Sequence, residues 1–303
     1  MRQMDQEFGE FLAAFPAIQF TDPAAQRELS AELRAGWPPA PWPDGVDRED
    51  VAVAGQDGRA VALRRYVPVG RGATAPAVLW IHGGGYCIGH LDEDEFFCAR
   101  LAADLGVAVA AVDYRLAPED PYPAGLDDCY AALVNAASAE PVVIAGLSAG
   151  GGLAAALALR ARDHGGPVIR AQILLCPFLD STMSAPSIRT LAHAPVFGAA
   201  DARHCWEHYL GAARTEPPAY GSPPAAADLS GLPPAYVLAA GEDCLRDEAI
   251  DYALRLQAAG VPTELHVVPG VPHAFTAMQP GAAVSRRLRA ELIAVLARLA
   301  ADR

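Results

Sequence analysis

From residue 77 the chain repeats one pattern: a short, wholly apolar run, then a stretch with helical spacing. The runs AVLWI (77–81), VAVAAV (107–112) and PVVIA (141–145) are followed by helical stretches at 93–105, 126–138 and 149–162. Further apolar runs at 168–175, 235–240 and 264–268 alternate with helical spacing at 249–259 and 283–302. Apolar runs of strand length suit a sheet covered on both faces, and strands joined through helices pair in parallel. The pattern predicts an α/β fold with a mostly parallel sheet flanked by helices. Val51–Ala54 and Ala60–Val67 flank the turn Asp57-Gly58 and predict a hairpin, which makes the sheet mixed.

Two regions break the alternation. In residues 1–45, Phe8, Phe11, Leu12 and Phe15 share a helical face, Asp22-Pro23 reads as a helix start, and Leu29 and Leu33 carry a second stripe to Gly36. The Pro-rich WPPAPWPDG that follows is a linker. Residues 177–230 hold seven prolines and one short helical piece near 200–210, too long a stretch for a plain connector. The expected division is a helical lid at 1–45, a catalytic core at 46–176 and 231–303, and a cap insertion at 177–230.

Composition removes whole classes of chemistry. Lysine is absent, so all 23 basic residues are arginine, against 36 acidic ones, for a net charge of −13. No Lys means no pyridoxal Schiff base and no phosphate loop ending in Gly-Lys. The acidic balance disfavours nucleic acid and anionic membrane surfaces. Cys87, Cys98, Cys129, Cys176, Cys205 and Cys244 are scattered, with no C-x-x-C pair, and read as free thiols in a reducing compartment. The N-terminus carries acids where a secretory signal would be basic, and no apolar run approaches a membrane span. A cytoplasmic protein with no membrane span is expected.

The chemistry concentrates in loops after the apolar runs. Gly146-Leu147-Ser148-Ala149-Gly150 follows PVVIA and precedes a helix, the setting of a nucleophile elbow. A serine on that strained turn needs small neighbours two residues away on either side, and the following helix aims free amides at developing negative charge. In a chain with 27 Gly the motif alone is only suggestive; its setting makes it specific. His82-Gly83-Gly84-Gly85-Tyr86 directly follows AVLWI, where a glycine loop can turn its N–H groups toward an oxyanion. His82 reads as a loop-orienting residue. A serine nucleophile needs an imidazole base and an orienting carboxylate, in the chain order Ser, acid, His. His266 lies within a strand pattern and reads as structural; His273, past the last strand, is the candidate base. Glu242, Asp243 and Asp247 are candidate acids; position favours Asp243, and Asp247 suits the cap of the next helix.

On these motifs the chain resembles the hormone-sensitive-lipase-like bacterial carboxylesterases of the α/β-hydrolase superfamily. Asp113–Glu119 (DYRLAPE), Pro123–Asp128 (PAGLDD), Asp228–Tyr236 (DLSGLPPAY) and Asp243–Glu248 (DCLRDE) are similar to further segments of that family. The resemblance implies an α/β-hydrolase fold with a helical cap and a catalytic triad of Ser148, Asp243 and His273. It also implies an oxyanion hole from the amides of Gly84, Gly85 and Ala149, and no metal or organic cofactor. Asp113, Arg115 and Glu119 look like framework. The implied substrate is a water-soluble ester of short or medium acyl chain, and a homodimer through the last strand and helix is implied as a partner. Two residues depart from the family pattern: Leu147 stands where Asp or Thr is usual, removing a polar contact, and Cys244 replaces a common Pro, which loosens the acid-bearing loop.

Other chemistries fit the same residues. Amide, lactone or carbamate cleavage would use the same triad, and a catalytically silent receptor on this fold would differ in lacking an intact one. An epoxide hydrolase would carry Asp at position 148. Phe197, Trp206 and Tyr209 either line a pocket or form the cap's own core. A base that must be neutral predicts activity rising through about pH 6–7.

Overall fold

The computed structural model describes residues 4–14, 18–36, 41–70, 77–138 and 141–301. Phe15, residues 37–40 of the Pro-rich linker and residue 302 of the last helical stretch lie outside the described residues. Eight strands form one sheet: β1 (Val46–Ala54), β2 (Ala60–Pro68), β3 (Val78–Ile81), β4 (Val109–Asp113), β5 (Val142–Leu147), β6 (Ile169–Leu175), β7 (Ala235–Glu242) and β8 (Thr263–Pro272). The helices are α1 (Gln6–Ala14), α2 (Pro23–Ala35), α3 (Glu95–Leu105), α4 (Ala124–Ala136), α5 (Ala149–Asp163), α6 (Pro186–Thr190), α7 (Ala199–Leu210), α8 (Arg246–Ala258), α9 (Phe275–Met278) and α10 (Ala283–Ala301).

The strand order is β1-β2-β4-β3-β5-β6-β7-β8. β1 and β2 pair antiparallel, β2 also runs antiparallel to β4, and every other neighbouring pair is parallel. The mixed sheet therefore follows from the hairpin and the apolar runs as expected. Side chains split by strand parity into two cores. One face packs α4, α5, α8 and the aromatic side of α7; the other packs α3, α10 and Phe8 of α1. β3 and β5 are buried at every position, which is why they read as unbroken apolar runs.

The edge strands departed furthest from the sequence pattern. β1 begins at Val46, five residues before the apolar stretch, because Asp47–Asp50 face solvent on an edge strand. β8 continues beyond the apolar run at 264–268 to Pro272, through Pro269 and Gly270; at the opposite edge a proline removes no ladder bond. Residues 177–230 contain α6, α7 and two 3-10 turns at 211–215 and 223–225, with no strand. α2 starts as expected, with Asp22 accepting the Ala25 N–H and Pro23 in the first turn.

This topology locates the site. β4 and β5 lie on opposite sides of β3, so the chain reverses its direction of travel across the sheet there. Loops leaving such a point at the carboxyl ends of strands form a crevice. Ile81 and Gly146 are register partners, which sets the glycine loop beside Ser148.

Candidate active site

Ser148 sits on the turn between β5 and α5 with φ 56° and ψ −118°. A Cβ on Gly146 would lie 2.2 Å from the Gly150 carbonyl oxygen, and one on Gly150 would lie 2.0 Å from that of Ile81. Only glycine fits at either position, so the motif's spacing is a steric requirement. The Ser148 N–H donates to the Leu175 carbonyl at 2.8 Å, tying the turn to β6.

β7 and β8 deliver the other two groups from their carboxyl ends. His273 Nδ1 lies 2.6 Å from Asp243 Oδ2, and its Nε2 lies 2.9 Å from Ser148 Oγ. Asp243 Oδ1 accepts the Leu245 N–H at 2.9 Å, so both carboxylate oxygens are engaged. All three residues are buried, Asp243 at 1% exposure. An ionised carboxylate only accepts, so Nδ1 carries the ring proton and Nε2 presents its lone pair to the serine hydroxyl. The Phe197 ring stacks on the His273 ring at 5.2 Å between centroids and limits its rotation.

Across from the serine, the N–H groups of Gly84 and Gly85 donate to nothing among the described residues. Ala149 is the first residue of α5, where an amide has no partner within the helix. The glycine loop is held by its flanks: Ile88 N–H bonds to the Gly84 carbonyl, Tyr86 hydroxyl to the Phe178 carbonyl at 2.6 Å, and Tyr114 hydroxyl to the His82 carbonyl at 3.0 Å. His82 stacks on Tyr114 and donates from Nδ1 to the Gly83 carbonyl at 2.7 Å; burial pulls its pKa down to about 4, so it stays neutral. It orients the loop and does not reach Ser148.

The remaining sequence candidates fall elsewhere. His266 pairs with Glu291 at 2.9 Å on β8 and stacks on Tyr236. Glu242 ends β7 without reaching the imidazole, and Asp247 lies inside the first turn of α8, paired with Arg246, rather than capping that helix. No side chain caps α8, whose N-cap position is held by Leu245. The expected loosening by Cys244 does not occur: its thiol donates to the Phe197 carbonyl and its carbonyl accepts from Ser187 Oγ at 2.7 Å. Arg115 forms a two-pronged pair with Asp128, and Glu119 pairs with Arg27 of α2. Cys176, Asp243 and His273 offer ligand atoms within 4.8 Å of one another. Asp243 and His273 are already spent on each other, and burial pushes the Cys176 thiol far above its ordinary value.

A cavity of about 580 Å³ opens over Ser148. Its apolar wall comes from Phe11, Ile18, Phe20, Leu29 and Leu33 of the N-terminal helices and their connector, with Leu147, Val196 and Phe197 opposite. Trp206 and Tyr209 stay out of it, packed on Tyr86 and Phe178. Sequence reasoning missed Asp94, Glu93 and Arg34, which also line the cavity. The acidic run DEDE at 92–95, so soon after the glycine loop, was the available signal.

A serine on a strand-to-helix elbow, backed by imidazole and carboxylate from later strands of the same sheet, defines a serine hydrolase built on the α/β-hydrolase fold. A family model described as alpha/beta hydrolase fold matches residues 78–277. Esterase LipI of Mycobacterium tuberculosis is 41% identical over 67% of this chain and 66% of its own length. Ethyl acetate hydrolase of Pseudomonas putida is 34% identical over 86% and 85% of the two chains. A solved structure described as bacterial heroin esterase superposes with a TM-score of 0.92 at 37% identity, covering 98% of each chain. The chain belongs to the α/β-hydrolase family, in its hormone-sensitive-lipase-like branch of bacterial carboxylesterases.

Proposed function

We propose that this carboxylesterase hydrolyses short- to medium-chain esters through an acyl-enzyme on Ser148. The carrying observation is the unbroken contact chain from Ser148 Oγ through His273 to Asp243. His273 takes the hydroxyl proton as Oγ attacks the ester carbonyl, and Asp243 stabilises the imidazolium that forms. The tetrahedral oxyanion is received by the amides of Gly84, Gly85 and Ala149; one such donor contributes about 2.7–4 kcal/mol in the transition state. His273 then protonates the leaving alcohol, and water cleaves the acyl-enzyme by the same route. No step requires a metal or organic cofactor.

The N-terminal helices and residues 177–230 act together as a cap over the core formed by 46–176 and 231–303. The Phe20 ring meets Phe197 edge-on at 5.4 Å, and the Phe20 carbonyl lies 3.0 Å from His208 Nε2 of α7, which supports this grouping. The cavity's size and apolar wall suit an acyl chain of a few carbons to about ten. Six buried free thiols support a reducing, cytoplasmic location. No helix among the described residues is long and apolar enough to cross a membrane. β8 is an edge strand with Val267 exposed, which supports pairing of two copies there; the α10 stripe of Leu288, Leu292 and Val295 is already consumed by its own sheet. Light scattering on a sizing column reads that dimer.

The deciding experiment profiles p-nitrophenyl esters of increasing acyl length with the wild type and Ser148→Ala, alongside labelling by a fluorophosphonate. Turnover falling off beyond medium chains, lost in Ser148→Ala together with the adduct, is the expected result. Undiminished turnover in that variant would remove Ser148 from the mechanism. Matched amide and lactone substrates in the same panel set the breadth of the reaction.

A further inference from the structure

The cavity over Ser148 carries one charge without a counterpart. Its charged lining residues are Arg34, Glu93 and Asp94. Arg34 Nη1 lies 2.5 Å from Glu93 Oε1, which neutralises that pair. Asp94 is only 8% exposed. Its Oδ2 accepts the Trp80 indole N–H at 2.8 Å, the one side-chain hydrogen bond Asp94 makes among the described residues. Asp94 also precedes α3, yet its side chain bonds none of that helix's amides. Burial lifts its pKa to about 6, so it is a carboxylate at neutral pH.

Such a group is costly. A buried charge is normally paired, and an indole N–H alone does not replace a cation. If anchoring Trp80 were the whole purpose, an uncharged acceptor would serve. Asp94 lines both the catalytic cavity and a second one of about 320 Å³ against α3 and α10. A carboxylate without a cationic partner, in the lining of the cavity that holds the nucleophile, is therefore placed to receive a positive group from the ligand.

We propose that Asp94 is a cation subsite, and that the preferred substrates are small carboxylic esters carrying a protonated or quaternary amine. The ammonium docks on Asp94 while the ester carbonyl meets Ser148 and the glycine loop, and the remaining apolar part lies against Phe20, Leu29 and Leu33. This rests on the esterase reading of the site and specifies its substrate class.

The test compares dimethylaminoethyl acetate with its uncharged isostere isopentyl acetate, in wild type and Asp94→Asn. Asparagine keeps the acceptor for Trp80 and removes only the charge. The wild type is expected to favour the amine ester in kcat/KM by about tenfold or more, chiefly through KM, and Asp94→Asn to erase most of that ratio. A wild-type ratio near one, or a ratio unchanged in Asp94→Asn, overturns the proposal. If the wild type hydrolyses neither ester, the esterase reading fails instead. Calorimetric Kd values for both esters on Ser148→Ala, with and without Asp94→Asn, then decide the subsite separately: selective weakening for the amine ester supports it, equal binding overturns it.

Discussion

Replacing Asp243 by Asn tests the proton relay with almost no change of shape. The structure dictates how the amide would sit. Asp243 Oδ1 accepts the Leu245 N–H at 2.9 Å, and only the asparagine oxygen can keep that bond. The NH₂ group is then forced toward His273 Nδ1, where Oδ2 now stands at 2.6 Å. An NH₂ there can only donate, so Nδ1 must become the acceptor and the ring proton moves to Nε2. In that tautomer Nε2, 2.9 Å from Ser148 Oγ, has no lone pair to take the serine proton. A wrong tautomer of this kind costs about 10⁴ in kcat, equivalent to about 5.4 kcal/mol at 1.36 kcal/mol per decade. Because the variant retains packing and the Leu245 bond, it should fold as the wild type does. The assay is kcat on p-nitrophenyl acetate with the fluorophosphonate labelling rate, beside a melting curve. A kcat within tenfold of wild type, in a normally folded variant, would refute the relay.

Three other outcomes are expected. Gly84→Ala would place a Cβ 2.0 Å from the Ile88 carbonyl oxygen at φ +113°, so the loop must shift and kcat/KM should fall about 100-fold or more, measured on a short-chain ester. Asp94 has its pKa raised from an ordinary 3.8 to about 6, so between about pH 4 and 6 the folded state holds a proton that the unfolded state has released. Stability linked to Asp94 is thus fully present below about pH 4 and lost as pH rises through 6, by up to about 3 kcal/mol; Asp94→Asn should flatten that slope in urea titrations at pH 4, 5 and 7. Trp206→Ala empties a fully buried site between Phe178 and Tyr86 and should cost about 3–5 kcal/mol in the same titration; a loss below 1 kcal/mol would contradict its role as a packing centre.

What could be read from the residue string was whatever local backbone geometry demands. Gly146, Ser148 and Gly150 were legible because the turn tolerates no Cβ at either flank, and the glycine loop was legible because it follows a strand that is apolar at every position. Apolar periodicity likewise fixed the parallel core, whereas polar residues concealed the start of β1 and Pro269-Gly270 concealed the end of β8. Asp243 and His273 stand 30 residues apart, and His273 stands 125 from Ser148, so only their chain order and the family resemblance nominated them. Packing of β5, β7 and β8 in one sheet brought them into contact. The acidic run at 92–95 marked Asp94 as a charge in the string, but not which member of the run lacks a partner. Sequence lists charges, but only the folded chain decides which of them are left without an opposite charge, since Coulomb pairing depends on distance in space and on the water removed around it.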